Sequence, residues 1–251
     1  MSVKSKKYFL SIVIPCFNES KGLKKLFLKI KKSAENYQNI EFIIVENGSS
    51  DNSRSTLINY EKKFNIDNIK FVYIDKNIGY GNGIKKGLYY ASPNSEYIGW
   101  THGDSQTDIL DVEKAYKILK KNKSSGNLCI KGKRIKRPYI DSFISKAMSI
   151  LSSLIFFPIL LDEINAQPSI FYKDLKLFIL NGPNDFNLDL FAFVGAKIKG
   201  FKFKRFNVFF PKRNQGKSSW NNGLLSKIRF STNSIKYIIN FRKNLIKLSN
   251  L

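Results

Sequence analysis

The run from Tyr97 to Asp108, Y-I-G-W-T-H-G-D-S-Q-T-D, leads an apolar strand directly into three side chains able to hold a cation. Tyr97, Ile98, Gly99 and Trp100 are apolar or small, as in a strand covered on both faces. His102, Asp104 and Gln106 then alternate at period two, which predicts that three ligand-type groups turn the same way. In an open α/β sheet, ligands gather beyond the carboxyl ends of the parallel strands. A helix marked by Val112, Ala115, Tyr116 and Leu119 follows, as such a strand end requires. Taken alone, an Asp near a His at a strand end is more often loop polarity than a metal site. The elements around the run therefore have to decide.

Those elements repeat one unit. Leu10 to Ile14 is a buried strand ended by Pro15, and Leu23, Leu26, Phe27, Ile30, Ala34 and Tyr37 then mark one face of a helix. Glu41 to Val45 repeats the strand, Glu46 to Asp51 supplies a turn, and Ser50 or Asp51 can cap the helix carrying Leu57, Tyr60 and Phe64. Lys70 to Ile74 is a third strand, followed by N-I-G-Y-G-N-G-I-K-K-G and a helix through Ile84, Leu88 and Ala91. The Tyr97 strand is the fourth. This alternation predicts an α/β fold: a doubly wound, mostly parallel sheet with helices on both faces. After Lys131 the alternation weakens.

The chain has 251 residues, of which 43% are hydrophobic, enough for one sizeable core. A formal net charge of +24 implies an anionic partner: nucleic acid, an acidic membrane surface or a phosphorylated substrate. Cys16 and Cys129 lie far apart in strand-like runs, which predicts free thiols in a reducing compartment. No secretory signal is visible, so a cytoplasmic location is expected. Ala147 to Leu161 is strongly apolar but contains Pro158 and falls short of the ~20 residues that span a bilayer; it can lie on a membrane or pack in the core. The glycine run Asn77 to Gly83 lacks the Lys-Ser/Thr ending of a P-loop, and the first strand-helix loop lacks G-x-G-x-x-G. Neither a P-loop NTPase nor a Rossmann dehydrogenase is supported.

S-I-V-I-P-C-F-N-E, I-I-V-E-N-G-S-S-D, N-I-G-Y-G-N-G-I-K-K-G and H-G-D-S-Q resemble, in sequence and in order, successive motifs of the family 2 glycosyltransferases. The likeness runs from about Ser11 to Trp220 and is nearest to the branch of dolichyl- and polyprenyl-phosphate sugar synthases. It implies a GT-A fold that binds a UDP- or GDP-linked sugar with Mg2+ or Mn2+. By position, Pro15, Phe17 and Glu19 would line the base and ribose pocket, with Phe17 in place of the more common Tyr. Glu46 and Asn47 stand where the family usually has Asp-Asp, Asp51 matches, and Gly79 and Gly81 belong to the glycine element that lets backbone approach phosphate. Asp104 and Gln106 retain the metal motif D-x-D-x-Q, whereas His102 replaces its first Asp. An imidazole there shifts preference from Mg2+ toward Mn2+ and later ions. Alternatively, His102 donates a hydrogen bond to sugar or diphosphate and Asp104 alone holds the ion.

Downstream, Gly132-Lys133-Arg134 resembles the family's G-S-R element, in which Arg134 faces an anionic acceptor or donor phosphate. Asn165 and Gln167 resemble polar liners beneath the acceptor. Asp189, and second to it Asp185, resemble the late acidic motif that supplies a base or acceptor contact; a helix-start cap is the competing role for Asp185. Arg213 and Ser218, in R-x-x-G-x-S, would meet phosphate oxygen on a loop hinged at Gly216. Residues 1–221 are read as the GT-A domain, and 222–251 as a basic amphipathic helical segment that either lies on a membrane or caps the core.

The implied activity is inverting sugar transfer to polyprenyl phosphate or a glycan, at an anionic membrane surface on the inner face, in surface polysaccharide or lipid-carrier glycosylation. A catalytically degenerate sugar-nucleotide-binding scaffold is the alternative, motivated by His102, Glu46 and Asn47. Nucleic-acid binding has only the charge in its favour, since no recognised motif accompanies it.

Overall fold

The computed structural model describes residues 6–104, 106–122, 126–137, 139–211 and 224–249, with the side chains of 140, 224–230 and 246–249 excepted. Seven strands form one sheet: β1 (Leu10–Cys16), β2 (Ile40–Asn47), β3 (Ile69–Ile74), β4 (Tyr97–Trp100), β5 (Leu128–Ile135), β6 (Ser169–Tyr172) and β7 (Lys202–Phe209). Their order is β3-β2-β1-β4-β6-β5-β7. The helices are α1 (Ser20–Asn36), α2 (Ser53–Lys63), α3 (Tyr80–Tyr90), α4 (Ile109–Lys121), α5 (Tyr139–Ile155), α6 (Lys176–Leu180), α7 (Asn187–Ile198) and α8 (Leu224–Ser249).

The first half follows the repeated unit. β1 and β2 are almost wholly buried because helices cover both faces, so their sequences are continuous apolar runs. Leu23, Leu26, Phe27, Ile30 and Ala34 of α1 pack on one face, and Ile84 and Leu88 of α3 on the other. β1 continues through Pro15 to Cys16 rather than stopping before the proline. Its pairing with β4 ends at Val13 and Trp100, so the missing N–H of Pro15 breaks no ladder on that side.

The second half departs from the repeat. β6 is antiparallel to both β4 and β5, and β7 is parallel to β5. The carboxyl ends of β1, β2, β4, β5 and β7 and the amino end of β6 therefore share one edge of the sheet. In register across that edge stand Trp100, Ser169 and Lys131. Opposed residues of antiparallel strands face the same way, so this row forms a floor.

Leu224–Ser249 is a single helix, and its Ile238 and Phe241 are buried in a third cluster with Phe156, Leu161, Leu190 and Phe193. In its described part α8 therefore caps the core with one face. Ala147 to Leu161 is likewise divided, with Phe156 and Leu161 buried and Ile150, Leu154, Phe157 and Leu160 exposed.

α3 lies close on the sheet because Gly87 presents no side chain: a Cβ there would stand 2.4 Å from Val13 Cγ1 and 2.9 Å from Val45 Cγ2. Gly87→Ala is expected to lose about 1–3 kcal/mol, overpacking outweighing the gain in helix propensity. A urea midpoint equal to or above that of the unaltered protein would show that α3 can shift without cost.

Candidate active site

The loops after β1 and β2 are stitched together. Asn18, at φ 56°, donates its N–H to Ser49 Oγ at 3.0 Å and accepts from Ser50 N–H at 2.9 Å. Asp51 accepts from Ser20 N–H at 3.1 Å and from Ser53 N–H at 2.9 Å, fastening the starts of α1 and α2. Burial works to raise its pKa, but the bonds from Ser53 and Ser20 outweigh that and hold it below the ordinary carboxylate value. Pro15, Phe17 and Glu19 are half-buried beside this junction. Glu46, at the position of the family's first Asp, is fully buried. Its Oε1 accepts from Ser49 N–H at 2.6 Å and Oε2 lies 3.9 Å from Arg54 Nη1, so it shapes the turn from beneath. Asn47 donates to Gly79 O at 3.2 Å.

The glycines of the α3 start also differ in what they approach. Gly79 has φ 129°, and a Cβ on it would stand 2.3 Å from Asn184 O; one on Gly81 would stand 2.6 Å from Pro183 O. Asn82 N–H donates to Asn184 O at 3.0 Å. The close approach these glycines permit here is to backbone 183–185. The acidic motif is thereby brought against α3.

β4 ends at Trp100, and the chain bends at Gly103, Asp104, Gln106 and Thr107. Thr101 and Thr107 hydroxyls meet at 3.2 Å, Asp104 Oδ1 accepts from Gln106 N–H at 3.1 Å, and Gln106 Nε2 donates to Pro211 O at 3.3 Å. The expected alternation of His102, Asp104 and Gln106 along an extended strand is thus replaced by a turn, because the loop closes on itself. The His102 ring lies 6.3 Å from that of Tyr80 and 6.1 Å from that of Phe210. Burial lowers its pKa; Asp104 and Asp189 pull against this, and Arg134 and Lys131 add to it.

Asp189, in the first turn of α7, is buried under that loop. Its Oδ1 accepts from Trp100 Nε1 at 3.0 Å and from Gln167 Nε2 at 2.8 Å. Gln167 Nε2 also reaches the Tyr80 hydroxyl at 3.2 Å. Burial, then the charges of Asp189 and Asp104, raise the Tyr80 pKa well above its ordinary value, so the phenol keeps its proton. Asp185 lies before α7 and accepts from Asn187 N–H at 2.9 Å and Asn187 Nδ2 at 3.0 Å. It therefore serves the start of the helix instead of sharing a helical face with Asp189.

Lys131 is the group sequence reasoning missed, since a lysine in a strand ordinarily reads as an exposed position. It is fully buried, donating to Ser169 Oγ at 2.6 Å, with its ammonium 5.5 Å from the Phe193 ring centroid. Burial brings its pKa down to about 7 against the pull of Asp189. Tyr80 and Trp100 were missed as polar groups for the opposite reason: each reads as core. Arg134 Nε donates to Glu163 Oε2 at 2.6 Å. Arg213 and Ser218 lie outside the described residues.

Among the described residues no three His, Cys, Asp or Glu side chains come together as a metal site. His102 and Asp104 supply one imidazole, held in its neutral form by burial, and one carboxylate. That pair fits a divalent cation whose remaining positions are filled by a substrate's oxygens and water.

The sheet order and the edge that carries these groups define a GT-A fold. The glycosyl transferase family 2 model matches residues 11–181, and the chain belongs to that family. It is 30% identical over 116 residues to the human dolichyl-phosphate beta-glucosyltransferase, covering 44% of this chain and 35% of that one. The chain spans less than half the length of the curated relatives it matches. Glucosyl-3-phosphoglycerate synthase from Mycobacterium tuberculosis, solved with Mn2+, UDP and glucosyl-3-phosphoglycerate, shares the fold with a TM-score of 0.64 at 14% identity, over 94% of this chain and 80% of that one. A mannosyltransferase from Pyrobaculum calidifontis, in complex with GDP-Man and Mn2+, gives 0.58 at 16% identity, over 84% and 59%.

The buried lysine has a measurable consequence. An unfolded lysine titrates near about 10.4, and Lys131 in the fold near about 7. Between these values the unfolded chain holds a proton that the fold rejects, so stability rises with pH across that window and the penalty is constant below it. Lys131→Met should flatten the rise of the urea midpoint between about pH 7 and pH 10. Parallel curves for the two proteins would mean that Lys131 stays charged when buried.

Proposed function

We propose that this chain transfers a hexosyl group from a UDP- or GDP-linked sugar to an acceptor oxygen with inversion, and that the acceptor is a polyprenyl phosphate in preference to a glycan hydroxyl. The observation that carries this reading is the convergence at Asp189: one carboxylate, fastened through a single oxygen by Trp100 and Gln167, beside the loop of His102 and Asp104. The lipid acceptor is supported by the dolichyl-phosphate glucosyltransferases among the relatives.

In this mechanism the β1 and β2 loops hold the nucleotide, with Phe17 against the base and Asp51 keeping both loop ends in place. His102 and Asp104 hold a divalent cation, Mn2+ more readily than Mg2+ because one ligand is imidazole. The cation, when bound, supplies positive charge to the leaving diphosphate. Asp189 orients the acceptor oxygen for attack on the anomeric carbon from the face opposite the diphosphate. A phosphate acceptor is already anionic and needs only orientation, whereas a hydroxyl would give Asp189 its proton. Tyr80 accepts from Gln167 Nε2 and, kept protonated, has its own hydrogen to donate at that position. Arg213 and Ser218 are retained in the proposal as phosphate contacts.

The reaction is tested by nucleoside-diphosphate release from UDP- and GDP-sugars, with Mn2+ or Mg2+, with and without a polyprenyl phosphate. Acceptor-dependent release should fall by about a hundredfold or more in Asp104→Ala and in Asp189→Asn. Mn2+ binding, followed by electron paramagnetic resonance, should strengthen when UDP is present, because His102 and Asp104 alone leave the ion incompletely held. Donor binding without release under every condition would favour the degenerate scaffold.

Membrane association is part of the same proposal, on the inner face and through an anionic surface. Tyr139, Phe143, Ile150 and Leu154 of α5, with Phe157 and Leu160 beyond it, are exposed by 54% at Ile150 to 86% at Tyr139, and Lys133 and Lys136 before the helix and Lys146 within it are also exposed. No helix among the described residues is long and apolar enough to cross a membrane. Phe143→Ser with Leu154→Ser should reduce partitioning onto phosphatidylglycerol vesicles by at least about tenfold. Unchanged partitioning would remove α5 from the membrane contact.

A further inference from the structure

Two arginines beside the site share one carboxylate. Arg134 Nε donates to Glu163 Oε2 at 2.6 Å, and Arg137 Nη1 lies 3.6 Å from Glu163 Oε1. Only 8% of each arginine side chain and 16% of the Glu163 side chain is exposed. Arg137 Nη2 donates to Ser145 Oγ at 3.0 Å, but its Nε and Nη1 are buried with no hydrogen-bond acceptor among the described residues. Guanidinium donors withdrawn from water without acceptors are costly, so the arrangement is one anion short of satisfied. Asp141, in the first turn of α5, adds a negative charge that favours the protonated Arg137. Burial, then the neighbouring Arg134, bring the Arg137 pKa down to about 10.

Position and backbone add to this. The Phe210 ring lies 5.5 Å from the Arg134 guanidinium carbon and 5.9 Å from that of Arg137, and its other neighbour is His102 at 6.1 Å. The arginines are therefore one aromatic ring away from the loop of the candidate active site. Glu163 sits at φ 46°, a left-handed conformation unfavourable for a side chain of this kind. The residue before it is anchored, Arg205 Nη2 donating to Asp162 O at 2.5 Å, and the turn closes with Ala166 N–H donating to Glu163 O at 3.0 Å. A carboxylate on a fixed turn, in a strained conformation, fills the place between two planar cations that a phosphate with its extra oxygens would fill better.

We propose that Arg134 and Arg137 form a cradle for the phosphate monoester of an amphiphilic acceptor, and that Glu163 is an internal stand-in for that phosphate, displaced when the acceptor binds. The apolar face of α5 begins at Tyr139, two residues beyond Arg137, so a phosphate held here has exposed apolar surface next to it for a hydrocarbon chain. The proposal rests on the lipid-phosphate reading above and assigns that acceptor a specific site, in which Arg137 and Glu163 are new participants.

The test is equilibrium binding of citronellyl phosphate to the whole protein by calorimetry, with inorganic phosphate and UDP as parallel ligands. Glu163→Gln should tighten citronellyl phosphate about tenfold, because the competing charge is gone, and Arg137→Gln should weaken it about tenfold. Arg137→Lys, which keeps the charge but not the fork, should fall between. Saturating UDP should leave the binding intact. Circular dichroism confirms that each variant is folded; if Glu163→Gln does not fold, the ordered series Arg, Lys, Gln at position 137 carries the test. Binding indifferent to all these changes, or mutually exclusive with UDP, would overturn the cradle. Inorganic phosphate binding as tightly and responding as strongly would overturn the amphiphile. Because binding is read without turnover, normal cradle behaviour in a protein that transfers no sugar would fault only the proposed activity. Transfer to lipid phosphate with binding indifferent to Glu163 and Arg137 would fault only the cradle.

Discussion

A carboxylate that is only 1% exposed, in the first turn of a helix, is costly to keep ionised, and much of the second half of this chain is arranged around that of Asp189. Trp100 Nε1 and Gln167 Nε2 both donate to its Oδ1, and Lys131 lies in the same row of the sheet floor as Trp100. Removing one partner would strand a charge rather than lose a contact, which is why these groups read as a unit. The same bonds make the site precise: β4, β6, α3 and α7 cannot shift independently without breaking a hydrogen bond to Asp189, Gln167 or Tyr80.

Electrostatically the site is graded. Toward the β1 and β2 loops, carboxylates are pinned by backbone N–H groups, as Asp51 and Glu46 show. Toward β5, cations are buried with too few anions, as Lys131 and Arg137 show. His102 lies between these regimes and responds to both signs. A highly charged, elongated ligand would be held along this gradient, and the chain's excess of Lys and Arg continues it outward.

Much of the first half was legible in the sequence, for physical reasons that can be named. Parallel strands covered on both faces leave unbroken apolar runs such as L-S-I-V-I, and α1 shows its buried face at helical spacing. β6 was not legible: four residues, Ser169 to Tyr172, carry too little pattern to reveal a strand, let alone its reversed direction. Asp189, Asp104 and Arg134, singled out by the family resemblance, lie close enough to act on the charge of His102, and Gln167, read as a polar liner, donates to Asp189. Site chemistry was illegible where tertiary packing decides. Gly79 and Gly81 admit backbone 183–185, Glu46 turns inward, and Lys131 is buried only because Phe193 of α7 and Ser169 of β6 cover it.

The reversed strand also governs how this molecule comes into being. Among the described residues β4 and β5 meet only through β6, whose Ser169 follows its partner Trp100 by 69 residues. Until Ser169 to Tyr172 has emerged, both strands present open edges, a state in which exposed ladders invite pairing with other chains. The floor of the site is thus assembled only when Ser169 to Tyr172 takes its place between β4 and β5.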